Sequence, residues 1–125
     1  MYIKTETQIE IAHLLPNYQG PCQRLHGHSV KVEIEVEGDV DPGTGMVIDF
    51  VKLKKPIKEL DHKELNLFMD LPTAENLANY IIDRIIESID EEQVHQIWVT
   101  VYETLKSHVM ANAYYDKYDG EWIYE

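Results

Sequence analysis

The chain has 125 residues, 44% of them hydrophobic, which suits one domain spanning residues 1–125 with its own core. Its net charge of −12 argues against nucleic acid or an anionic membrane surface as a partner. No apolar run approaches the roughly 20 residues that span a bilayer, and a single cysteine, Cys22, excludes an intrachain disulfide. The opening Met1-Tyr2-Ile3-Lys4-Thr5-Glu6 lacks the charged and apolar regions of a signal peptide, so a cytoplasmic location is expected.

Residues 5–13 read as a first strand, with Ile9 and Ile11 alternating against Gln8 and Glu10. A loop rich in turn formers follows, Pro16-Asn17-Tyr18-Gln19-Gly20-Pro21. The clearest strand covers residues 28–37: Val30, Val32, Ile34 and Val36 face one way, Lys31, Glu33, Glu35 and Glu37 the other. After a Gly- and Asp-rich loop, Asp49 can cap a helix running toward Leu60, with a kink or a fresh start expected at Pro56. Thr73 can cap a second helix whose stripe is Leu77, Ala78, Ile81, Ile82, Ile85, Ile86 and Ile89. Two more strands are expected near residues 94–103 and 108–115. The order β-β-α-α-β-β implies an α+β fold, a four-stranded antiparallel sheet with two helices on one face. Its free edges are expected to be covered by oligomerisation.

The chemistry concentrates in Cys22-Gln23-Arg24-Leu25-His26-Gly27-His28. Two histidines separated by one residue point to the same side of a strand and can hold one ion. His26 and His28 extend the inward series of Val30 to Val36, His13 extends that of Ile9 and Ile11, and Glu103 extends that of Ile97, Val99 and Val101. Each apolar stripe thus runs into an ionisable group, which is costly to bury unless it is paired or bound to a metal. Three neutral imidazoles suit Zn2+, and an open fourth position suits catalysis. Cys22 offers a competing arrangement, in which its thiolate closes a purely structural zinc site.

In Leu60-Asp61-His62 the aspartate can orient the imidazole, making His62 a candidate acid or base. His95 reads as a surface residue. Five of the eleven Lys and Arg residues are Lys52, Lys54, Lys55, Lys58 and Lys63, a run that reads either as a solvated helix face or as a landing site for an anionic substrate.

In order along the chain, Ala12-His13, Cys22-x3-His26-Gly27-His28, Gly45-Met46-Val47-Ile48-Asp49-Phe50, Leu60-Asp61-His62, Leu65-Asn66, Pro72-Thr73-Ala74-Glu75-Asn76 and Glu103-Thr104 resemble the 6-pyruvoyl-tetrahydropterin synthase superfamily. The three-residue spacer after Cys22 is similar to the bacterial 6-carboxy-5,6,7,8-tetrahydropterin synthase branch. The resemblance implies the tunnelling fold, with subunits joined into a barrel and a homo-oligomer, a hexamer, as the working form. It implies a small-molecule substrate, 7,8-dihydroneopterin triphosphate. The implied products are 6-carboxy-5,6,7,8-tetrahydropterin, acetaldehyde and triphosphate, in the synthesis of 7-deazaguanine compounds such as queuosine. By the same resemblance His13, His26 and His28 match the zinc ligands, Cys22, Asp61 and His62 the catalytic proton-transfer groups, and Glu103 the pterin anchor. It also implies that the site is shared, with Cys22 and zinc from one chain and Asp61-His62 from a neighbour. The lysine run is expected to meet the triphosphate. The aromatic tail, residues 114–125, matches no motif and is expected to pack on a neighbouring subunit.

Two rivals stand beside this reading. One is a sister activity on the same substrate, pyruvoyl-forming or dihydroneopterin aldolase-like. The other is a non-catalytic module whose zinc is closed by Cys22.

Overall fold

The computed structural model describes residues 1–90 and 92–125. β1 (Tyr2–His13) and β2 (His26–Gly38) form a long antiparallel pair in which Ile11 faces His28 and His13 faces His26. α1 (Phe50–Lys58), β3 (Lys63–Glu64) and α2 (Ala74–Ser88) follow, then β4 (Val94–Tyr102), β5 (His108–Asp116) and β6 (Glu121–Tyr124). Among the described residues these strands make one six-stranded sheet in the order β3-β1-β2-β4-β5-β6.

Strand alternation decides which face is buried. Val32, Ile34, Val36, Ile97 and Val99 are fully buried, while their neighbours along each strand lie toward solvent. α2 covers this apolar face across β4 and β5, and α1 lies against β1 and α2. Leu77, Ala78, Ile81, Ile82 and Ile85 are the buried stripe of α2, and the Thr73 hydroxyl accepts from the Asn76 N–H to cap it. Asp49 caps α1 by accepting from the Val51 N–H at 2.9 Å.

Two expectations need correction, and a third element, the tail, gains a place within its own chain. The sheet has six strands where four were expected, and it is mixed: β3 pairs in parallel with β1 at Ile11 and Ala12. Two residues are too few to leave any alternation in the sequence. α1 makes no fresh start at Pro56. The proline lies two residues before the helix end, so it removes one hydrogen bond in the last turn, and its ring is buried beside Leu53 and Ile57. The aromatic tail turns back on its own chain. Asp119-Gly120 closes a hairpin, with Gly120 at φ 69°, and β6 pairs with β5. Trp122 packs against the core 5.6 Å from the Tyr115 ring, and the Tyr124 hydroxyl donates to Asp83 on α2. Burial, then that bond to Asp83, raises the Tyr124 hydroxyl's pKa above the ordinary tyrosine value.

Where β2 meets β4 the register shifts at Glu37 and Gly38. A Cβ on Gly38 would lie 2.5 Å from the Gln93 carbonyl oxygen and 2.9 Å from a Val47 methyl. Gly38→Ala is therefore expected to lower stability by about 1–3 kcal/mol in urea unfolding, because backbone on the far side must shift.

Candidate metal centre and its cleft

At the end of β1 and the start of β2 the inward series passes from aliphatic side chains to imidazoles. His13 is 3% exposed, whereas His26 and His28 are half-buried. The Nε2 atoms of His26 and His28 lie 3.1 and 3.0 Å from Nε2 of His13. All three donor nitrogens lie within 4.8 Å of one another, a group able to hold a metal ion.

The other ring nitrogens explain why the Nε2 atoms are available. His13 Nδ1 donates to the Pro72 carbonyl at 2.7 Å, and His26 Nδ1 donates to the Arg24 carbonyl at 2.8 Å. A carbonyl only accepts, so each Nδ1 carries a proton and Nε2 is the ring atom left to face the centre as a ligand. Burial, the largest influence, holds His13 below the ordinary histidine pKa, and His28 and His26 push the same way. The Pro72 carbonyl and Glu103 oppose them without reversing the shift. His13 is thus kept neutral, the form a metal requires.

The donor set fits zinc. Zn–N bonds of about 2.0–2.1 Å at a tetrahedral ion place nitrogens about 3.3–3.4 Å apart, close to the 3.0 and 3.1 Å found here. Among the described residues the Cys22 thiol is not part of the group. Cys22 sits half-buried in the short 3-10 turn Pro21–Gln23, and its carbonyl accepts from the Leu15 N–H at 2.8 Å, folding the loop back on itself. The closed structural-zinc arrangement therefore lacks its fourth ligand in this geometry.

Glu103, one residue beyond β4, faces the cleft that also holds His13, His28, Pro72, Thr73 and Leu77. The cleft encloses about 10 Å³, room for roughly one water molecule and not for a bicyclic ring. Any larger ligand must sit at its mouth.

Asp61 and His62 do not enter this cleft. They lie on the helix-free side of the sheet, where a groove of about 420 Å³ runs past Glu10, Ser29, His62 and Lys63 and touches His28. His62 has φ 60°, a left-handed backbone held by its N–H donating to the Glu10 carbonyl at 2.7 Å. Asp61 Oδ1 accepts from the Glu10 N–H at 2.8 Å and lies 3.1 Å from His62 Nδ1. The Glu10 N–H, followed by His62, lowers the Asp61 carboxyl below its ordinary value, so it stays ionised and orients the ring. The His62 side chain is 77% exposed, and Nδ1 is the ring nitrogen that faces Asp61.

The lysine run does not meet the cleft. Lys52 and Lys55 line a separate groove between α1 and α2 beside Arg84, Glu59 and Glu87, and Lys63 lines the helix-free groove. His95, read as a surface residue, is partly covered and paired with Asp39 at 3.0 Å. The Pro72 carbonyl and the Asn66 side chain, which brackets Leu14, were not foreseen as part of the centre. Asn66 was visible only as part of the Leu65-Asn66 pair.

An α+β subunit with three imidazoles converging at the sheet end beside an inward glutamate defines a class of small domains that could hold a metal ion. Within that class the chain belongs to the 6-pyruvoyl tetrahydropterin synthase family, whose model matches residues 2–113. A Synechocystis protein named 6-carboxy-5,6,7,8-tetrahydropterin synthase is 38% identical over 97 residues, covering 69% of this chain and 75% of that one. A Pyrococcus furiosus protein named dihydroneopterin monophosphate aldolase is 46% identical over 71 residues, covering 54% of this chain and 60% of that protein's length. The structure of Caenorhabditis elegans 6-pyruvoyl tetrahydropterin synthase superposes with a TM-score of 0.70 at 25% identity, covering 88% of this chain and 93% of that one. The fold is the α+β tunnelling fold of this family. No helix among the described residues is long and apolar enough to cross a membrane.

Proposed function

We propose that the chain is a zinc-dependent carbon–carbon lyase of pterin metabolism, acting in the cytoplasm as a homo-oligomer. It converts 7,8-dihydroneopterin triphosphate to 6-carboxy-5,6,7,8-tetrahydropterin, acetaldehyde and triphosphate, on the route to 7-deazaguanine compounds such as queuosine. The observation that carries this reading is the convergence of three imidazole nitrogens at the sheet end, two of them, from His13 and His28, sharing a cleft with Glu103, in a chain from this family.

His13, His26 and His28 would hold the metal, which when bound supplies a Lewis acid for the oxygens of the substrate side chain. Glu103 accepts from the pterin amino group and the adjacent ring N–H, a charge-assisted pair that fixes the ring. Cys22 moves a proton on one face of the side chain. His62, with Nδ1 bonded to Asp61, presents Nε2 to the other face.

Incubating purified protein with dihydroneopterin triphosphate and measuring acetaldehyde, with the pterin product weighed by mass spectrometry, tests the reaction. Stoichiometric acetaldehyde with a carboxypterin supports it. A second reading has its own observations: the 46% identical stretch shared with the Pyrococcus aldolase, and a lysine run that lies away from the cleft. Aldol cleavage would leave a hydroxymethylpterin and no acetaldehyde.

The Glu103 assignment has a separate check. Glu103→Gln is expected to weaken pterin binding by about 2–5 kcal/mol, because the amide accepts from one pterin donor and opposes the other. Calorimetry with the pterin product measures this; unchanged affinity removes Glu103 from the site.

A further inference from the structure

The last residue of β1 is His13, and the chain leaves the sheet at Leu14. Pairing with β2 ends at His13 opposite His26, so Leu14 has no strand partner there. An amide takes that place. Asn66 Oδ1 accepts from the Leu14 N–H at 3.0 Å, and Asn66 Nδ2 donates to the Leu14 carbonyl at 3.1 Å, across 52 residues of sequence. Asn66 lies in the 3-10 turn Leu65–Leu67, anchored by the buried Leu65. Six residues later the same segment supplies the Pro72 carbonyl that accepts from His13 Nδ1. One short segment therefore grips His13 twice, through the backbone just beyond it and through its ring.

We propose that Asn66 is a positioning residue for the metal centre: by clamping Leu14 it sets where His13 Nε2 stands relative to His26 and His28. This rests on the metal reading above. His13 is the member on which an error is most costly, because its Nε2 lies near both of the others, at 3.1 and 3.0 Å. Only a side chain with one acceptor and one donor at amide spacing satisfies both Leu14 groups. A carboxylate accepts from the N–H but opposes the carbonyl, and an aliphatic residue does neither.

The test compares zinc affinity, by chelator competition well below the unfolding temperature, and the visible spectrum of the cobalt-loaded protein. Asn66→Ala is expected to bind zinc roughly 10–100-fold more weakly than wild type, the usual cost of losing an outer partner of a ligand. Its cobalt bands should shift. Asn66→Asp should fall between the two, and it carries the test if the alanine variant does not fold. Gln93→Ala is the control for general loosening: the Gln93 amide bridges the Met46 and Val47 carbonyls at the opposite end of the sheet. It should lose stability yet keep wild-type affinity and spectrum. Wild-type affinity in either Asn66 variant, or an equal loss in Gln93→Ala, overturns the proposal. Wild-type protein that binds no zinc removes the metal reading itself, a result distinct from both.

Discussion

Replacing His26 by alanine is expected to empty the protein of zinc and of activity together, while Cys22→Ala keeps a full equivalent of zinc and loses turnover. His26 stands at the start of β2, half-buried, with its ring outside the aliphatic core, so its removal spares the fold. Apparent zinc binding energies in protein sites of about 10–16 kcal/mol, divided among three ligands, put the loss at roughly 3–5 kcal/mol. That is on the order of a hundred- to several-thousand-fold in affinity. Cys22 lies outside the donor group, so its loss leaves three nitrogens in place. Elemental analysis after dialysis reads both. Full zinc in His26→Ala would sink the ligand assignment, and zinc lost from Cys22→Ala would revive the closed structural site.

Mixing two dead variants is expected to restore activity. Asp61-His62 sits on the helix-free side of the sheet, away from the cleft with Glu103 and His13, and that cleft has room for roughly one water. A substrate at its mouth is open to groups from a neighbouring copy. Cys22→Ala and His62→Ala should each be inactive. Unfolded together, mixed equally and refolded, they should regain about one quarter of wild-type activity, the fraction of sites in a random symmetric oligomer that pair a normal Cys22 with a normal His62. The opposing arrangement is also visible, since His28 and His62 border the same groove of one chain. If that groove is the working site, each variant chain carries its own defect and mixed oligomers stay inactive.

Much of this was legible because alternation in a strand is a local property. Val30 to Val36 and Ile97 to Val101 declare the buried face in single letters, and His13, His26, His28 and Glu103 could be placed on that face by counting in twos. What escaped depends on residues far apart. β3 exists because Leu60, Asp61 and His62 turn the chain onto the edge of β1, and nothing in Lys63-Glu64 announces it. The hairpin ending in β6 had a local signal, Asp119-Gly120, but its aromatic residues carry no alternation that names β5 as their partner strand. The roles of Asn66 and the Pro72 carbonyl depend on contacts spanning 52 and 59 residues.

The shared parity of core and centre has an evolutionary consequence. Between His28 and Val36 a one-residue insertion or deletion would turn part of the hydrophobic series to solvent and break its alignment with the histidines. Two such changes in compensation would be needed to pass from one working sequence to another, with a non-folding intermediate between them. Length variation among descendants of this chain should therefore collect in the loops at residues 14–25 and 39–49. The stretch from His26 to Val36 should be inherited as an indivisible block.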